Sequence, residues 1–382
     1  MPRPKPTLTA SLLLVPASLL ALLLLAELVF RLALPAPDLP GLAFVDGVLR
    51  HRPGQRGVYW TVPPGSKGVR APFSINAQGW NSARADYPAE RSAALRIAVV
   101  GDSYVEALQV PPDKSLAEDL ERELADAPGG VEVFRYGMSG APLSQYLHMA
   151  RKAALPARPD VLVALLVHND FDESYREVPG MFTASFLKLR LDAEDMVEEL
   201  PPAPYAPDLK MRIRDLSATW RYLAHGRQLR FETLRRAVFR PRQDKRFEAN
   251  IDISGLERRE ALDRRAARYV FSQLQAEATA AGARLLLVMD GVRAGIEAGS
   301  QESRPEAPAQ GALRLNRLAA AEAELLGVAF LDLHPVFARD FAAHRRPFAF
   351  DADGHWNAYA HQVAARAVAQ RLRQLGWTAP GQ

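Results

Sequence analysis

Four short polar blocks in a chain of 382 residues carry the residue types that acyl transfer needs. Gly101-Asp102-Ser103 offers a hydroxyl, Gly137-Met138-Ser139-Gly140 a glycine turn, and His168-Asn169-Asp170 a side-chain amide. The fourth block, Asp351-Ala352-Asp353-Gly354-His355-Trp356-Asn357, offers an imidazole beside two carboxylates. A serine is a weak nucleophile until a neighbouring imidazole takes its proton. That imidazole needs a carboxylate on its other nitrogen to fix the tautomer. Charge developing on the substrate oxygen needs donors already in place, and the N–H groups of Ser103 and Gly140 with the amide of Asn169 would supply them. Ser103 and His355 are therefore candidate catalytic residues. Residues two apart in an extended segment face the same side, so either Asp353 or Asp351 could be the acid.

Each block follows a segment able to position it. Leu95–Val100, Val131–Tyr136 and Val161–Val167 read as strands, and the third is continuously apolar, as buried parallel strands are. Two more strands are expected at Arg284–Met289 and Ala329–Leu333. Helical spacing occupies Ser115–Ala127, Leu143–Leu155, Arg258–Ala281, Gly311–Leu326 and Ala358–Leu375. This alternation predicts an α/β fold, a parallel sheet covered by helices on both faces. In such sheets ligands bind beyond the carboxyl ends of the strands, where the blocks fall.

The four blocks, in this order, resemble those of the SGNH (GDSL-type) hydrolase family, with Ser103, Gly140, Asn169 and His355 at the family's four named positions. The resemblance spans roughly 96–375. It implies a three-layer, flavodoxin-like α/β/α domain and an acyl-serine route for an esterase or O-acyltransferase, without a cofactor. The run Asp353-Gly354-His355-Trp356 is similar to the Asp-x-His-Trp segment of proteins that O-acetylate alginate and other bacterial exopolysaccharides, a resemblance that implies Asp353 as the acid, with Asp351 the alternative. Two features depart from the family pattern. Val167-His168 replace its Gly-x before Asn169, leaving His168 either to pack beside the site or to add a polar contact. Ala352 stands where the acid usually lies, three residues before the histidine.

The N-terminus bears on location. After Arg3 and Lys5 comes a predominantly apolar run, Thr7–Phe30, long enough for the roughly 20 residues that cross a bilayer as a helix. Basic residues before it favour a cytoplasmic start and a translocated body. A cleaved signal peptide is the rival reading. The expected plan is a cytoplasmic N-terminus at 1–8, an anchor at 9–33, a stalk with an extended subdomain at 34–93 and the hydrolase-like domain at 94–378. That places a single-pass protein in the bacterial inner membrane with its catalytic domain periplasmic. Within the domain, 171–254 reads as a helical insertion, either a lid or substrate wall or a set of solvated helices. Its segment Lys210–Arg246 holds twelve Lys/Arg against three Asp/Glu.

The net charge of +4 is small for this length, no nucleic-acid motif occurs, and zero cysteines exclude disulfides and a thiolate nucleophile. His51, His148, His225 and His344 read as histidines without partners, His334 as a structural hydrogen-bonder, and His361 as facing away from the site. No histidine pair has metal-ligand spacing, so no metal is expected. The expected partners are an acyl-ester or glycan substrate, the inner membrane and other polysaccharide-modification proteins. A lipid or lysophospholipid esterase and a non-catalytic glycan-binding scaffold are the competing functions.

Overall fold

The computed structural model describes residues 8–176, 182–192, 196–229, 247–249, 251–297 and 311–378. Leu8–Leu32 form helix α1, with Pro16 inside it. Its segment Leu14–Leu32 is long and apolar enough to cross a membrane, and none of it is buried in the protein. Two hairpins follow. β1 (Leu42–Val45) pairs with β2 (Val48–His51), and β3 (Arg56–Thr61) with β4 (Val69–Ser74). The first reverses at Asp46-Gly47, both at positive φ, the backbone that a tight hairpin turn requires. The first hairpin and the segment after the second pack on the main domain, since Val48 and Leu49 of β2 and Trp80 and Tyr87 beyond β4 join its core.

The core begins at β5 (Leu95–Gly101), every residue of which is buried. It runs through α2 (Ser103–Glu106), α3 (Leu116–Glu123), β6 (Val131–Gly137) and α4 (Leu143–Met149) to β7 (Val161–Leu166) and α5 (Asp170–Glu173). The insertion adds the antiparallel pair β8 (Lys188–Leu191) and β9 (Val197–Leu200), then α6 (Leu209–Leu216), α7 (Ala218–Trp220) and a π-helical turn at Arg221–Gly226. A two-residue pair, β10 (Phe247–Glu248) and β11 (Ile251–Asp252), precedes α8 (Leu256–Ala280). The chain closes with β12 (Arg284–Met289), α9 (Arg293–Glu297), α10 (Leu313–Leu325), β13 (Ala329–Asp332), α11 (His334–His344), the pair β14 (Ala349–Phe350) and β15 (Asp353–Trp356), and α12 (Ala358–Gln374).

Five strands form one parallel sheet in the order β13-β12-β7-β5-β6. Alternate residues point to opposite faces. Leu162, Ala164 and Leu166 of β7 enter one core, with α4, α8 and α10. Val161, Val163 and Leu165 enter the other, with α3, α11 and α12. The expected three-layer α/β/α fold is the observed one. Connections leave β5 in opposite directions, so the crevice opens beyond the ends of β5 and β7. The insertion is helical over α6 and α7, but before them it has strands β8 and β9, and Phe186 and Leu187 just before β8 and Leu189 within it are buried in the first core. Residues 230–246 of its basic stretch lie outside the described residues.

Candidate active site

Ser103 starts α2 directly after β5, and the turn depends on glycines. A Cβ on Gly101 would stand 2.4 Å from Val105 Cγ2, and one on Gly137 would stand 2.0 Å from the Glu106 backbone nitrogen. Only bare backbone lets α2 settle against the end of β6. Asp102 caps the helix by accepting the Tyr104 N–H at 2.9 Å, the usual role of Asp before a first turn.

The Ser103 hydroxyl lies 2.9 Å from His355 Nε2 and 3.2 Å from Asp102 Oδ2. On the other side of the ring, His355 Nδ1 bonds to Asp353 Oδ1, which also accepts the His355 N–H at 2.9 Å. With its Nδ1 proton donated to Asp353, the imidazole presents an Nε2 lone pair to the serine hydroxyl. Burial opposes charge on His355, yet Asp353 outweighs it and holds the imidazole pKa above the ordinary 6.5. Burial also works against the Asp353 charge, but His355 holds that carboxyl below its usual range. Asp102 is buried without a cationic partner in contact, and burial pushes its carboxyl up to about 6.

Asp351 does not reach the histidine. Its carboxylate accepts the Lys67 N–H at 2.7 Å and the Gly68 N–H at 3.3 Å, latching the β14–β15 turn to the loop before β4. The pleat explains the choice: Asp353 lies in β15 with His355, whereas Asp351 precedes that strand.

Gly140 and Asn169 stand beyond the ends of β6 and β7, the two strands flanking β5. Gly140 has φ of 74°, a conformation that favours glycine. Asn169 bonds through its side chain to Glu173, whose carboxyl burial pushes up to about 7. Asp170 faces inward and accepts from Tyr146 Oη at 2.6 Å and the Val167 N–H at 2.7 Å. His168 is fully buried, with Nε2 2.8 Å from Asn316 Oδ1. Burial lowers its pKa to about 4, so it is a neutral polar tie between β7 and α10 rather than a group on the rim.

A second layer of residues holds the histidine block. Trp356 is fully buried and donates from Nε1 to Asp290 Oδ1 at 3.0 Å. Arg293 donates from Nη2 to Asp290 Oδ2 at 3.1 Å and to Tyr104 Oη at 2.7 Å. Tyr104 in turn donates to the Gly354 carbonyl at 3.1 Å. Asp290, Arg293 and Tyr104 have no part in the sequence expectation. Asp290 directly follows β12, so strand-end reasoning applied to the fourth strand would have found it.

Four histidines depart from their expected roles: His148 Nε2 lies 2.8 Å from the Gly47 carbonyl oxygen, His225 is engaged as well, and His51 and His361 are tied into the domain. His51 has a partner: buried in the domain, its Nε2 bonds to the Glu106 carboxylate. Glu106 also accepts the Ser139 N–H at 3.1 Å, joining β2, α2 and the Gly140 turn. His361 faces inward, accepting the Leu116 N–H on Nδ1 at 3.1 Å, and it packs edge-on against Trp356 at 5.3 Å. Burial lowers its pKa to about 3. Among the described residues, no group of three or more His, Asp or Glu side chains could hold a metal ion.

Residues 254–382 match the family model of the SGNH hydrolase-like domain of the acetyltransferase AlgX. The matched stretch is thus similar to an SGNH hydrolase-like domain. It includes Asp290, Asp353, His355 and Trp356, while Ser103, Gly140 and Asn169 come from the sequence before it. Among solved structures, the chain is similar to a lipase/acylhydrolase from Enterococcus faecalis, at 14% identity, covering 75% of this chain and 99% of that one with a TM-score of 0.40. It is also similar to an acetylxylan esterase from Geobacillus stearothermophilus, at 12% identity, 76% and 99% coverage and a TM-score of 0.39. A search of curated proteins by sequence finds no match.

Proposed function

We propose that the protein is a serine O-acyltransferase or esterase that handles acetyl esters of a cell-envelope polysaccharide at Ser103, from a periplasmic domain held to the inner membrane by α1. The observation that carries this reading is the hydrogen-bonded chain Ser103–His355–Asp353 at the carboxyl edge of the sheet. Ser103 Oγ attacks the acyl carbonyl carbon as its proton passes to His355 Nε2. Asp353 stabilises the imidazolium that forms. The oxyanion is met by the N–H groups of Ser103 and Gly140 and by the Asn169 amide. The bond to the departing alcohol breaks, and that oxygen takes the proton from Nε2, leaving acyl-Ser103.

In the second half, an acceptor hydroxyl gives its proton to Nε2 and bonds to the carbonyl carbon. The ester to Ser103 then breaks and the serine regains its proton. Water as acceptor gives hydrolysis and a sugar hydroxyl gives transfer, so exclusion of water from the acyl-serine decides between them. The insertion contributes to that enclosure: a Cβ on Gly140 would lie 3.9 Å from Phe182 Cε2, so the start of the insertion borders the Gly140 turn. What supports an envelope polysaccharide as substrate is the AlgX-type match together with the apolar N-terminal helix.

The test is release of p-nitrophenol from p-nitrophenyl acetate by the full chain in detergent, beside Ser103→Ala. Wild-type turnover should fall by about 10³-fold or more in the variant, and acetylated product should appear when oligosaccharide acceptors are added. Turnover that survives Ser103→Ala would remove the acyl-serine reading.

A further inference from the structure

Glu27 is a carboxylate within a predominantly apolar helix, and it is fully engaged. Oε1 accepts the Ala218 N–H at 2.8 Å, while Oε2 accepts the Thr219 N–H at 3.1 Å and the Ser217 hydroxyl at 2.9 Å. Arg31, one turn on, donates to the Leu216 carbonyl at 2.5 Å, and Phe30 packs on Tyr222 with ring centroids 4.4 Å apart. The last turns of α1 are thus fastened to residues 216–222 of the insertion. Wherever the end of α1 lies relative to a bilayer, α6 and α7 lie beside it.

The surface these helices present is apolar. Leu209, Ile213 and Leu216 recur at spacings of four and three along one face of α6, and Trp220 and Leu223 continue the exposed apolar run through α7 and the π-helical turn after the break at Ser217. They are 73%, 43%, 71%, 42% and 38% exposed. Met211, Arg214 and Ala218 between them are buried, so the stripe is the face turned away from the protein. A groove of about 890 Å³ runs between this stripe and α1, bordered by Leu23, Leu24, Trp220, Leu223 and Leu229. Lys210 and Arg212 are exposed beside the stripe, placing cationic heads on aliphatic stems next to apolar side chains. Apolar face, basic flank and aromatic residue together are what a helix lying in a membrane interface needs.

We propose that residues 209–229 form a second membrane contact, a foot whose stripe lies in the headgroup–acyl boundary of a phospholipid bilayer while lipid acyl chains fill the groove against α1. This rests on α1 crossing the bilayer. The foot turns a flexible tether into a two-point attachment and so fixes which way the Ser103 rim faces. Water is the alternative surrounding for this stripe, and it would leave five large apolar side chains exposed in a row.

The test reconstitutes the full chain in phosphatidylglycerol-containing vesicles whose lipids are brominated near the headgroup end of the acyl chains. Bromine quenches tryptophan emission on contact, and α1 itself contains no tryptophan. Quenching in the wild type that disappears in Trp220→Phe is the expected result. A second reporter, Leu20→Trp in the Trp220→Phe background, reads α1 with lipids brominated deep in the chains. If Leu20→Trp is quenched while wild-type and Trp220→Phe emission respond alike, α1 spans the bilayer and the foot is overturned. If neither reporter is quenched, the anchor reading fails and the foot fails with it.

Discussion

Asp353 grips His355 through Nδ1 and raises the imidazole pKa above 6.5, and acyl transfer needs the neutral ring. The rate should therefore fall as pH drops through a value on the alkaline side of 6.5. In Asp353→Asn the acid limb of kcat/KM should move to lower pH, with a loss of about 10²–10⁴-fold in kcat. Asp351→Ala, which frees only the Lys67 and Gly68 N–H groups, should leave the acid limb in place and cost about 0.5–1.5 kcal/mol of stability. A pH–rate profile of both variants separates the two carboxylates. Asp102 gives a prediction of opposite sign. Its folded pKa of about 6 against the ordinary 3.8 means that the folded state binds the extra proton between those values, so the ionised group destabilises above them. Asp102→Asn, which keeps a capping side chain, should match wild type near pH 4 and exceed it by about 1–3 kcal/mol near pH 8 in urea unfolding. Ser103 and His355 were readable from residue type and position after strands, whereas the two-residue pleat left Asp353 and Asp351 open and only the Asp-x-His-Trp resemblance pointed to Asp353. Arg293 and Tyr104 were not, because their tie to Gly354 joins residues that only the folded chain brings together.

At the level of elements, Glu106 is the joint between the N-terminal hairpins and the nucleophile's helix. Its carboxylate holds His51 of β2 and Ser139, the neighbour of Gly140, and its carbonyl accepts from Asn81 at 2.8 Å. Glu106→Ala would leave the donors of His51 and Ser139 unpaired on two elements while keeping the carbonyl that Asn81 uses. A loss of about 3 kcal/mol is expected, with a fall in p-nitrophenyl acetate turnover measured well below the melting temperature. Unchanged turnover would mean that the Gly140 turn holds its shape without this joint. The sheet strands were legible because buried parallel strands are continuously apolar. The strands of the insertion were not, because Lys188, Arg190, Glu198 and Glu199 dilute the pattern. The role of His51 was hidden because a lone histidine in a Pro- and Gly-rich stretch carries no periodic signal.

For the whole molecule, the absence of cysteine makes topology directly measurable. Lys114→Cys, at an exposed position, should react with a membrane-impermeant maleimide on cells whose outer envelope has been opened. Labelling that appears only after the inner membrane is broken would place the domain in the cytoplasm. The connectivity also has a consequence in time. Ser103 and His355 meet across 252 residues, because the first core strand lies inside the sheet while the base arrives with one of the last elements of the chain. At synthesis rates of about 5–20 residues per second, roughly 13–50 s separate the making of the serine from the making of its base. Through that interval Ser103 is an ordinary alcohol. A chain that stalls, or is cut before its final thirty or so residues are made, carries the nucleophile without ever arming it.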